Sequence, residues 1–182
     1  MQVVLTPKVK FVAGVFDANK PYFNLDVSKR FVDLVTQEHR GFEFSLAGEI
    51  VKNFNLVVGL EVLNPKVQAN VFASAPIGPR AVGQLSHLAV ISMDYKWPWM
   101  PALSFDLAAT SYGRSEANLT NTVAVPTAQS YDFGSRYSFK LGAIPASLRE
   151  FILNAGNSYR WNVSDSAGLS AAPRRGFGLY LR

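Results

Sequence analysis

Metal binding or catalysis would have to depend on a small set of side chains in this sequence. It contains two histidines, His39 and His87, and no cysteine. Neither histidine has a carboxylate at the spacing of a metal site, since Glu38 next to His39 would point to the opposite face of a strand. No serine lies in a Gly-x-Ser-x-Gly turn, and no helical pattern follows Gly176-Phe177-Gly178 to hold a phosphate. The sequence therefore predicts no enzymatic activity, no metal site and no cofactor.

The charged residues do not indicate a nucleic-acid partner. Eighteen lysines and arginines against thirteen acidic residues give a net charge of +5. The basic residues are scattered, and only Lys29-Arg30 and Arg174-Arg175 are adjacent, whereas a nucleic-acid surface requires clustered cations. The absence of cysteine also excludes disulfides and iron–sulfur clusters.

Apolar and polar residues alternate along most of the sequence, which is the pattern of β-strands. From Phe54 to Val62 every second residue is large and apolar, and the residues between them include Glu61. Residues 146–154 fit less well because Glu150 is in phase with apolar neighbours, so we expect a bulge or an irregular register there. Eight strands are predicted, at residues 9–17, 41–51, 54–63, 86–97, 103–113, 130–140, 146–154 and 177–182.

The predicted connections alternate between short and long. The short ones, at 52–53, 98–101 and 141–145, contain the turn-forming residues Asn, Pro or Gly. The long ones lie at 18–37, 64–85, 114–127 and 155–175, and structureless loops of that length are uncommon in compact soluble domains. Tight turns on one rim and long loops on the other are typical of an up-and-down outer-membrane β-barrel.

Three features favour a transmembrane wall over a soluble β-sandwich. The apolar faces of five consecutive strands carry no charge over about ten residues, which is the length of a tilted membrane strand. Aromatic residues such as Trp97 and Trp99 gather beside the short turns, as in an interfacial girdle. The opposite faces carry both charge signs, as expected of a water-filled lumen. The lumen-facing residues predicted in this way are Glu43, Glu49, Glu61, Asp94, Asp106, Asp132 and Arg136.

Several segments together resemble the C-terminal barrel region of TonB-dependent receptors, especially receptors that import ferric siderophores. The resemblance covers nearly the whole chain, and its segments follow the family's order. They are Val15-Phe16-Asp17 with Lys20-Pro21-Tyr22, Arg40-Gly41-Phe42-Glu43, Leu63-Asn64-Pro65-Lys66-Val67, Asp94-Tyr95, Val125-Pro126 with Tyr131-Asp132-Phe133-Gly134-Ser135-Arg136-Tyr137, Pro145-Ala146-Ser147-Leu148-Arg149 with Asn154, and Ala172-Pro173-Arg174-Arg175-Gly176.

The resemblance implies the location and the partners of the chain. Residues 1–182 would be the C-terminal part of a receptor barrel in the cell outer membrane, without the plug domain and the N-terminal strands. No secretory signal pattern is present in residues 1–17, consistent with a fragment. The implied partners are outer-membrane lipid and, for a complete receptor, a ferric siderophore and the TonB complex. Ligand contacts in the family come from outer loops and the upper lumen, which gives the candidates Tyr22, Phe23, Lys66, Phe72, Arg80, Arg114, Tyr159, Arg160 and Trp161.

Two alternatives remain open from the sequence. The first is a self-contained eight-stranded outer-membrane barrel with a structural or adhesion role, in which residues 9–17 would pair with residues 177–182. The second is a soluble β-sandwich that binds a partner or small molecule. In that case the apolar side chains would pack against each other in a dry core, namely Phe44, Val58, Leu60 and Phe133. Under either of the membrane interpretations, this chain alone is not expected to transport a ligand.

Overall fold

The fold is all-β and antiparallel. The structure is a computed structural model that describes residues 2–6, 8–69 and 77–182; the predicted ligand residue Phe72 lies outside these ranges. The strands are β1 Gln2–Thr6, β2 Val9–Leu25, β3 Phe31–Val51, β4 Phe54–Ala69, β5 His87–Lys96, β6 Leu103–Tyr112, β7 Ser115–Glu116, β8 Ala124–Val125, β9 Ala128–Leu141, β10 Ile144–Leu153, β11 Trp161–Val163, β12 Leu169–Ala171 and β13 Gly176–Leu181.

One nine-stranded sheet contains most of the chain. Its strand order is β1-β2-β3-β4-β5-β6-β9-β10-β13, and every neighbouring pair is antiparallel. The pairs β7–β8 and β11–β12 form two small separate sheets within the long connections. The eight predicted strands are confirmed, and β1 is a ninth strand that the sequence pattern does not reveal.

The strand register turns local alternation into two continuous faces. Leu46 lies opposite Val58, Val58 opposite Ile91, and Ile91 opposite Ala109. Because directly paired residues point to the same side of a sheet, these residues form one row of what we call the apolar face. The intervening residues, such as Ser45 and Thr110, form the polar face.

Short turns join the strands at one end of the sheet, which we call the turn end; the opposite end is the loop end. The connection between β3 and β4 is the two-residue turn Lys52-Asn53, and Asn53 has a φ of 69°. In the turn between β9 and β10, Gly142 has a φ of 64°. Such left-handed conformations are those that Asn and Gly adopt most readily in tight hairpins. The predicted positions of these turns are confirmed.

Aromatic rings form a cluster at the turn end. The Tyr95 and Trp97 ring centroids are 6.1 Å apart, and those of Trp97 and Trp99 are 5.5 Å apart. Phe105 packs edge-on against Trp97 at 5.9 Å. Trp99 is nevertheless 85% exposed. These rings therefore border the apolar face where it reaches the short turns.

The predicted loop at 18–37 is mostly strand, which corrects the sequence interpretation. β2 and β3 continue past the apolar segment and pair up to Leu25 and Phe31, leaving only a five-residue tip. In the extension, polar residues and apolar ones such as Phe23, Leu34 and Val35 do not alternate regularly, so it lacks the pattern used to recognise strands. Its pairing is fixed by the long register with the preceding apolar residues.

Two further differences concern register. The irregularity expected in residues 146–154 is absent, because β10 pairs without interruption with β9 and β13. Glu150 consequently lies on the apolar face, where Ser135 Oγ donates a 3.0 Å hydrogen bond to Glu150 Oε1. Register shifts are found instead between Glu49 and Val51, beside the turn into β4, between Tyr22 and Phe23 in β2, and between Val4 and Thr6 in β1.

The described residues match neither alternative architecture. β2 lies between β1 and β3, and β13 pairs with β10, so the pairing expected of a self-contained eight-stranded barrel is not found among them. No second layer covers the apolar face in these ranges, and Phe133 is 44% exposed. Within the same ranges, no helix is long and apolar enough to cross a membrane.

Asp26 organises the tip of the β2–β3 hairpin. Its Oδ1 accepts hydrogen bonds from the backbone N–H groups of Ser28 at 2.8 Å and Arg30 at 2.9 Å, and its Oδ2 lies 3.1 Å from the Arg30 guanidinium. The pKa of Asp26 lies below its ordinary value of 3.8, mainly because its carboxylate accepts a hydrogen bond from the Arg30 N–H. Burial raises this pKa, whereas the Arg30 guanidinium and the Ser28 N–H lower it further.

The hairpin tip should therefore loosen in acid. A lowered pKa means that the contribution of Asp26 is complete above 3.8 and is lost as the pH falls through the lower pKa of the folded tip. We expect the hydrogen-exchange protection factors of the Ser28 and Arg30 amides to fall as the pH is lowered below 3.8. Asp26→Ala should show low protection at every pH. Equal protection of these amides in the wild type and in Asp26→Ala at a pH above 3.8 would contradict this role.

Candidate functional site

Three long connections meet at the loop end and hold one another. The N–H of Gly78 donates to the carbonyl of Leu119 at 2.7 Å, and the N–H of Gly83 donates to the carbonyl of Glu116 at 3.0 Å. Gln84 Nε2 also donates to Asp165 Oδ1 at 3.2 Å. Residues 77–86, 113–127 and 154–175 therefore form one assembly, which we call the loop cluster.

The loop cluster has a small core of its own. Ala81 and Ala117 are 2% and 6% exposed, and Val82 and Val125 are also buried. Buried residues are few elsewhere in the described chain, where the sheet is a single layer. Packing thus orders these connections, although they read as irregular loops in the sequence.

Glu116 is the buried charge at the centre of the loop cluster. It is 3% exposed, and its Oε1 lies 3.2 Å from Arg114 Nη2 and 3.8 Å from Arg80 Nη1. Asn121 fixes the Arg80 backbone by accepting from its N–H at 2.8 Å and donating to its carbonyl at 3.0 Å. A buried carboxylate needs such cationic partners to offset its lost hydration. The structure thus brings Arg80 and Arg114 together, as structural partners of one acid.

A second group combines cations with aromatic rings. The Arg160 guanidinium lies 3.7 Å from the ring centroid of Tyr112, and the Arg174 guanidinium lies 4.8 Å from that of Tyr159. Tyr159 and Trp161 pack edge to face at 5.4 Å. A cleft of about 200 Å³ includes Tyr112, Arg160 and Arg174 in its lining. The structure therefore brings the predicted residues Tyr159, Arg160 and Trp161 together.

The loop cluster carries an excess of positive charge. Its three segments contain five arginines and two carboxylates, and Glu116 is already paired with two of those arginines. Guanidinium groups are well suited to carboxylates and other planar oxygen anions. Stacking of Arg160 and Arg174 on rings holds their planes in defined orientations. The chemistry of these side chains is suited to an anionic, partly aromatic ligand.

Asn154 connects the loop cluster to the sheet. It is 8% exposed and has a φ of 48°. Its N–H donates to Asp132 Oδ1 at 2.7 Å, and its Nδ2 donates to the carbonyls of Ser158 at 2.9 Å and Pro173 at 3.1 Å. Its Oδ1 accepts from the Ser158 N–H at 2.9 Å. One side chain therefore fixes both ends of residues 155–173.

Replacing Asn154 should release this segment. Asn154→Ala leaves buried donors and acceptors unpaired, which costs roughly 1–3 kcal/mol. We expect trypsin to cleave after Arg174 or Arg175 at least about fivefold faster in this variant, since cleavage follows the population of the open loop. Asn162→Ala, in the same segment but without a side-chain hydrogen bond in the structure, is the control. Equal cleavage rates in the two variants would show that Asn154 does not hold the segment.

The other predicted ligand residues lie elsewhere. Tyr22 and Phe23 are on the β2–β3 hairpin, and Phe23 stacks on Phe31 at 5.8 Å. Lys66 lies near the C-terminal end of β4, at the loop end of the sheet. It forms a β-bridge with Arg80 at the edge of the loop cluster. The candidates thus fall into a hairpin group, a Glu116 group and an aromatic group.

The predicted lumen residues lie on the polar face. Asp106 Oδ2 is 3.3 Å from Arg149 Nη2, Asp132 binds the backbone of Asn154, and Glu49 is paired with Lys8. Glu43 and Glu61 lie directly opposite each other, and neither has an ion pair in the described part of the chain.

Sequence reasoning did not predict the roles of several residues that shape these sites. Glu116 and Tyr112 were not singled out, and Arg149 and Asn154 were noted only as part of the family resemblance. Asn154 could have been suspected from its place between a strand and a long loop, where left-handed Asn is common. Glu116 and Tyr112 give no such signal. Among the described residues, no group of three or more His, Cys, Asp or Glu side chains could hold a metal ion.

Comparison with known proteins relates the chain to siderophore receptors. No family model matches it. Its sequence is 27% identical to the ferrichrome receptor FcuA of Yersinia enterocolitica over 132 residues, which are 72% of this chain and 17% of that receptor. Its structure matches the ferric preacinetobactin receptor BauA of Acinetobacter baumannii with a TM-score of 0.85 and 25% identity, over 99% of this chain and 28% of that one.

A further solved structure has the same fold. The siderophore receptor PiuA of Acinetobacter baumannii matches with a TM-score of 0.81 and 19% identity, over 96% of this chain and 26% of that one. This chain spans about a quarter of the length of the two solved receptors. The all-β sheet with short turns at one end and long connections at the other is therefore the fold of one part of an outer-membrane barrel, and the predicted resemblance to TonB-dependent siderophore receptors is confirmed.

Proposed function

We propose that the chain forms part of the barrel wall of a TonB-dependent outer-membrane receptor that takes up ferric siderophores. The observation that carries the proposal is the match to the ferric preacinetobactin receptor over 99% of this chain, together with the sequence match to the ferrichrome receptor. In this proposal the apolar face contacts outer-membrane lipid, the polar face lines the lumen, and the loop end is extracellular.

The ligand is expected at the loop cluster. Siderophores bind iron through anionic oxygen groups, so cations and aromatic rings are suitable partners for the chelate. Arg160, Arg174, Tyr159 and Trp161 supply both chemistries beside one cleft. The Arg80 and Arg114 side chains are each 55% exposed, so their outer N–H groups can still reach a ligand although their inner nitrogen atoms form ion pairs with Glu116.

The rest of the receptor would supply the plug domain and the remaining strands of the barrel. The chain corresponds to about 28% of the matched receptor, so the plug domain and the remaining strands belong to other residues of such a protein. Glu43 and Glu61 lie directly opposite each other on the polar face, where two carboxylates repel each other. This repulsion favours a lumen that contains further protein with positive charge. A cationic side chain of the plug would relieve that repulsion.

Binding of defined ferric chelates tests the proposal. The protein, expressed from its complete gene and purified in detergent, should bind ferrichrome or ferric preacinetobactin with quenching of tryptophan fluorescence. Replacing both Arg160 and Arg174 by Gln should weaken binding at least about tenfold. The control replaces Lys20 and Lys29 on the hairpin by Gln and should bind normally.

Uptake of radioactive iron from the bound chelate should also require the TonB complex in cells. Failure to bind either chelate, in a protein that folds and inserts, would contradict the siderophore assignment.

A further inference from the structure

Glu150 is a charged residue on the face that the proposed function assigns to lipid. In the described strands β5, β6, β9, β10 and β13, it is the only Asp, Glu, Lys or Arg whose register position lies on the apolar face. Leu148 and Ile152 precede and follow it on that face of β10. A carboxyl group among apolar neighbours at a lipid surface costs free energy unless a donor or a cation compensates for its lost hydration. The position of Glu150 therefore indicates that it has a binding partner.

The neighbours of Glu150 in the sheet compensate for its charge only in part. Ser135 lies directly opposite on β9, and its Oγ donates a 3.0 Å hydrogen bond to Glu150 Oε1. Leu179 lies opposite on the other side, on β13, and offers no donor. No lysine or arginine of the described residues forms an ion pair with Glu150. Since an ionised carboxylate has about four acceptor positions, most of its capacity is available to a further donor.

The rest of a receptor would not supply this donor. Glu150 is in the interior of the sheet, because β13 lies between β10 and the edge. A further strand paired with β13 would meet Leu179 in this row, and Leu179 separates it from Glu150. An occupant of the lumen would lie on the opposite side of the sheet. Because the outer surface of a membrane barrel faces the bilayer, we look to the bilayer for the partner of Glu150.

A groove on the apolar face leads to Glu150. Its volume is about 670 Å³, and its lining includes Phe133, Phe177 and Leu179 beside Ser135 and Glu150. Phe177 and Leu179 are 73% and 66% exposed, so they are open to contact from the bilayer. The groove therefore combines apolar walls, which suit an acyl chain, with one carboxylate and one hydroxyl group, which suit a polar headgroup.

Glu150 lies close to the level that lipid headgroups would occupy at the turn end. Tyr137 is opposite Leu148 on the apolar face, and its ring stacks on that of Phe139 with centroids 6.0 Å apart. In membrane barrels such rings mark the boundary between hydrocarbon and headgroups. Ser135 is two residues from Tyr137 on β9, a rise of about 7 Å along the strand, or about 5 Å along the bilayer normal for a tilted strand. The Glu150 carboxylate is therefore within reach of a headgroup.

We propose that Glu150 and Ser135 bind the primary ammonium group of a phospholipid whose acyl chain lies in the groove. The inference rests on the proposed function, in which the apolar face contacts lipid, and it adds a headgroup-selective site to that face. A primary ammonium complements the carboxylate in charge and has three N–H donors. A choline headgroup is also cationic but has no N–H donor, so the site should distinguish the two.

Native mass spectrometry of lipid-bound protein tests the inference. The protein, expressed from its complete gene and purified in detergent, is mixed with equal amounts of phosphatidylethanolamine and phosphatidylcholine that carry the same acyl chains. The wild type should retain phosphatidylethanolamine at least about fivefold more often, because hydrogen bonds to a charged group contribute more than 1 kcal/mol.

Glu150→Gln gives the second arm. The amide has nearly the same size and can still accept the Ser135 hydrogen bond, so the fold should be kept while the charge is removed. The ratio of the two retained lipids should then fall to about one. Glu61→Gln removes the same charge from the polar face and should leave the ratio of the wild type unchanged.

Equal retention of the two lipids by the wild type would overturn the proposal, and so would a preference that persists in Glu150→Gln. A second copy of the chain retained in place of lipid, and lost in Glu150→Gln, would also overturn it. Ferric chelate binding by the same preparation separates these results from a failure of the receptor assignment.

Discussion

Val58→Arg should strongly destabilise the protein in a bilayer. Val58 lies on the apolar face, opposite Leu46 on one neighbouring strand and Ile91 on the other. If that face contacts lipid, an arginine near its middle costs roughly 2–4 kcal/mol. The loss should be measured by urea titration of the protein folded into phospholipid vesicles, followed by tryptophan fluorescence.

Val57→Arg provides a matched control for this substitution. Val57 is the preceding residue of the same strand, lies on the polar face opposite Ala47 and Ser92, and is 46% exposed. The same side chain there would meet water in the lumen and should cost less than about 1 kcal/mol. If the two variants are equally stable, or if Val57→Arg is the less stable one, the assignment of the two faces is wrong.

Gly41→Ala should cause the second large loss of stability. A Cβ at Gly41 would be 2.3 Å from the carbonyl oxygen of Val62 and 2.6 Å from Cζ of Phe16. The first contact is with the backbone of the neighbouring strand, which can move only by disturbing the pairing of β3 with β4. Overpacking of this kind costs roughly 1–3 kcal/mol. The midpoint of urea unfolding in vesicles should shift accordingly.

Gly59→Ala is the control for the glycine prediction. Gly59 is also on the polar face, in the centre of β4, and nothing lies within 4 Å of the position that its Cβ would occupy. Removing the backbone freedom of an unfolded glycine should leave stability unchanged or raise it by up to about 1 kcal/mol. A larger loss at Gly59 than at Gly41 would show that strand packing around β3 is not as described.

The two largest predictions depend on different kinds of information. That Val57 and Val58 face opposite sides follows from their adjacent positions in a strand, and it could be predicted from the sequence alone. That Gly41 cannot accept a methyl group, whereas Gly59 can, depends on Phe16 and Val62. These residues are distant in sequence from Gly41 and are brought near it by strand pairing.

The extent of the hairpin between β2 and β3 shows where sequence patterns stop. Alternation identified residues 9–17 and 41–51 because apolar residues recur there at every second position. Residues 18–25 and 31–40 mix polar and apolar side chains without that pattern, and they are nevertheless paired in the structure. Their strand conformation comes from continued hydrogen bonding to a partner already in register, which no local property of the residues reveals.

The candidate site divides in the same way. The residue types that suit an anionic ligand were predicted in the long connections, and Tyr159, Arg160 and Trp161 are indeed close together. The sequence does not predict that Arg80 and Arg114 both form ion pairs with the buried carboxylate of Glu116. That arrangement requires two separate connections to pack together, and their order in the sequence does not specify which side chains meet.

The sequence by itself determined the class of secondary structure, the two faces of each main strand and the positions of the tight turns. These features depend on the two-residue period of a strand and on the local preferences of Asn, Gly and Pro. Only the tertiary structure decided which charges are paired, as for Arg149 with Asp106, and which have no ion-pair partner among the described residues, as for Arg136. The physical reason is that ion pairs and close contacts depend on strand register between distant residues, whereas alternation depends on neighbours along the chain.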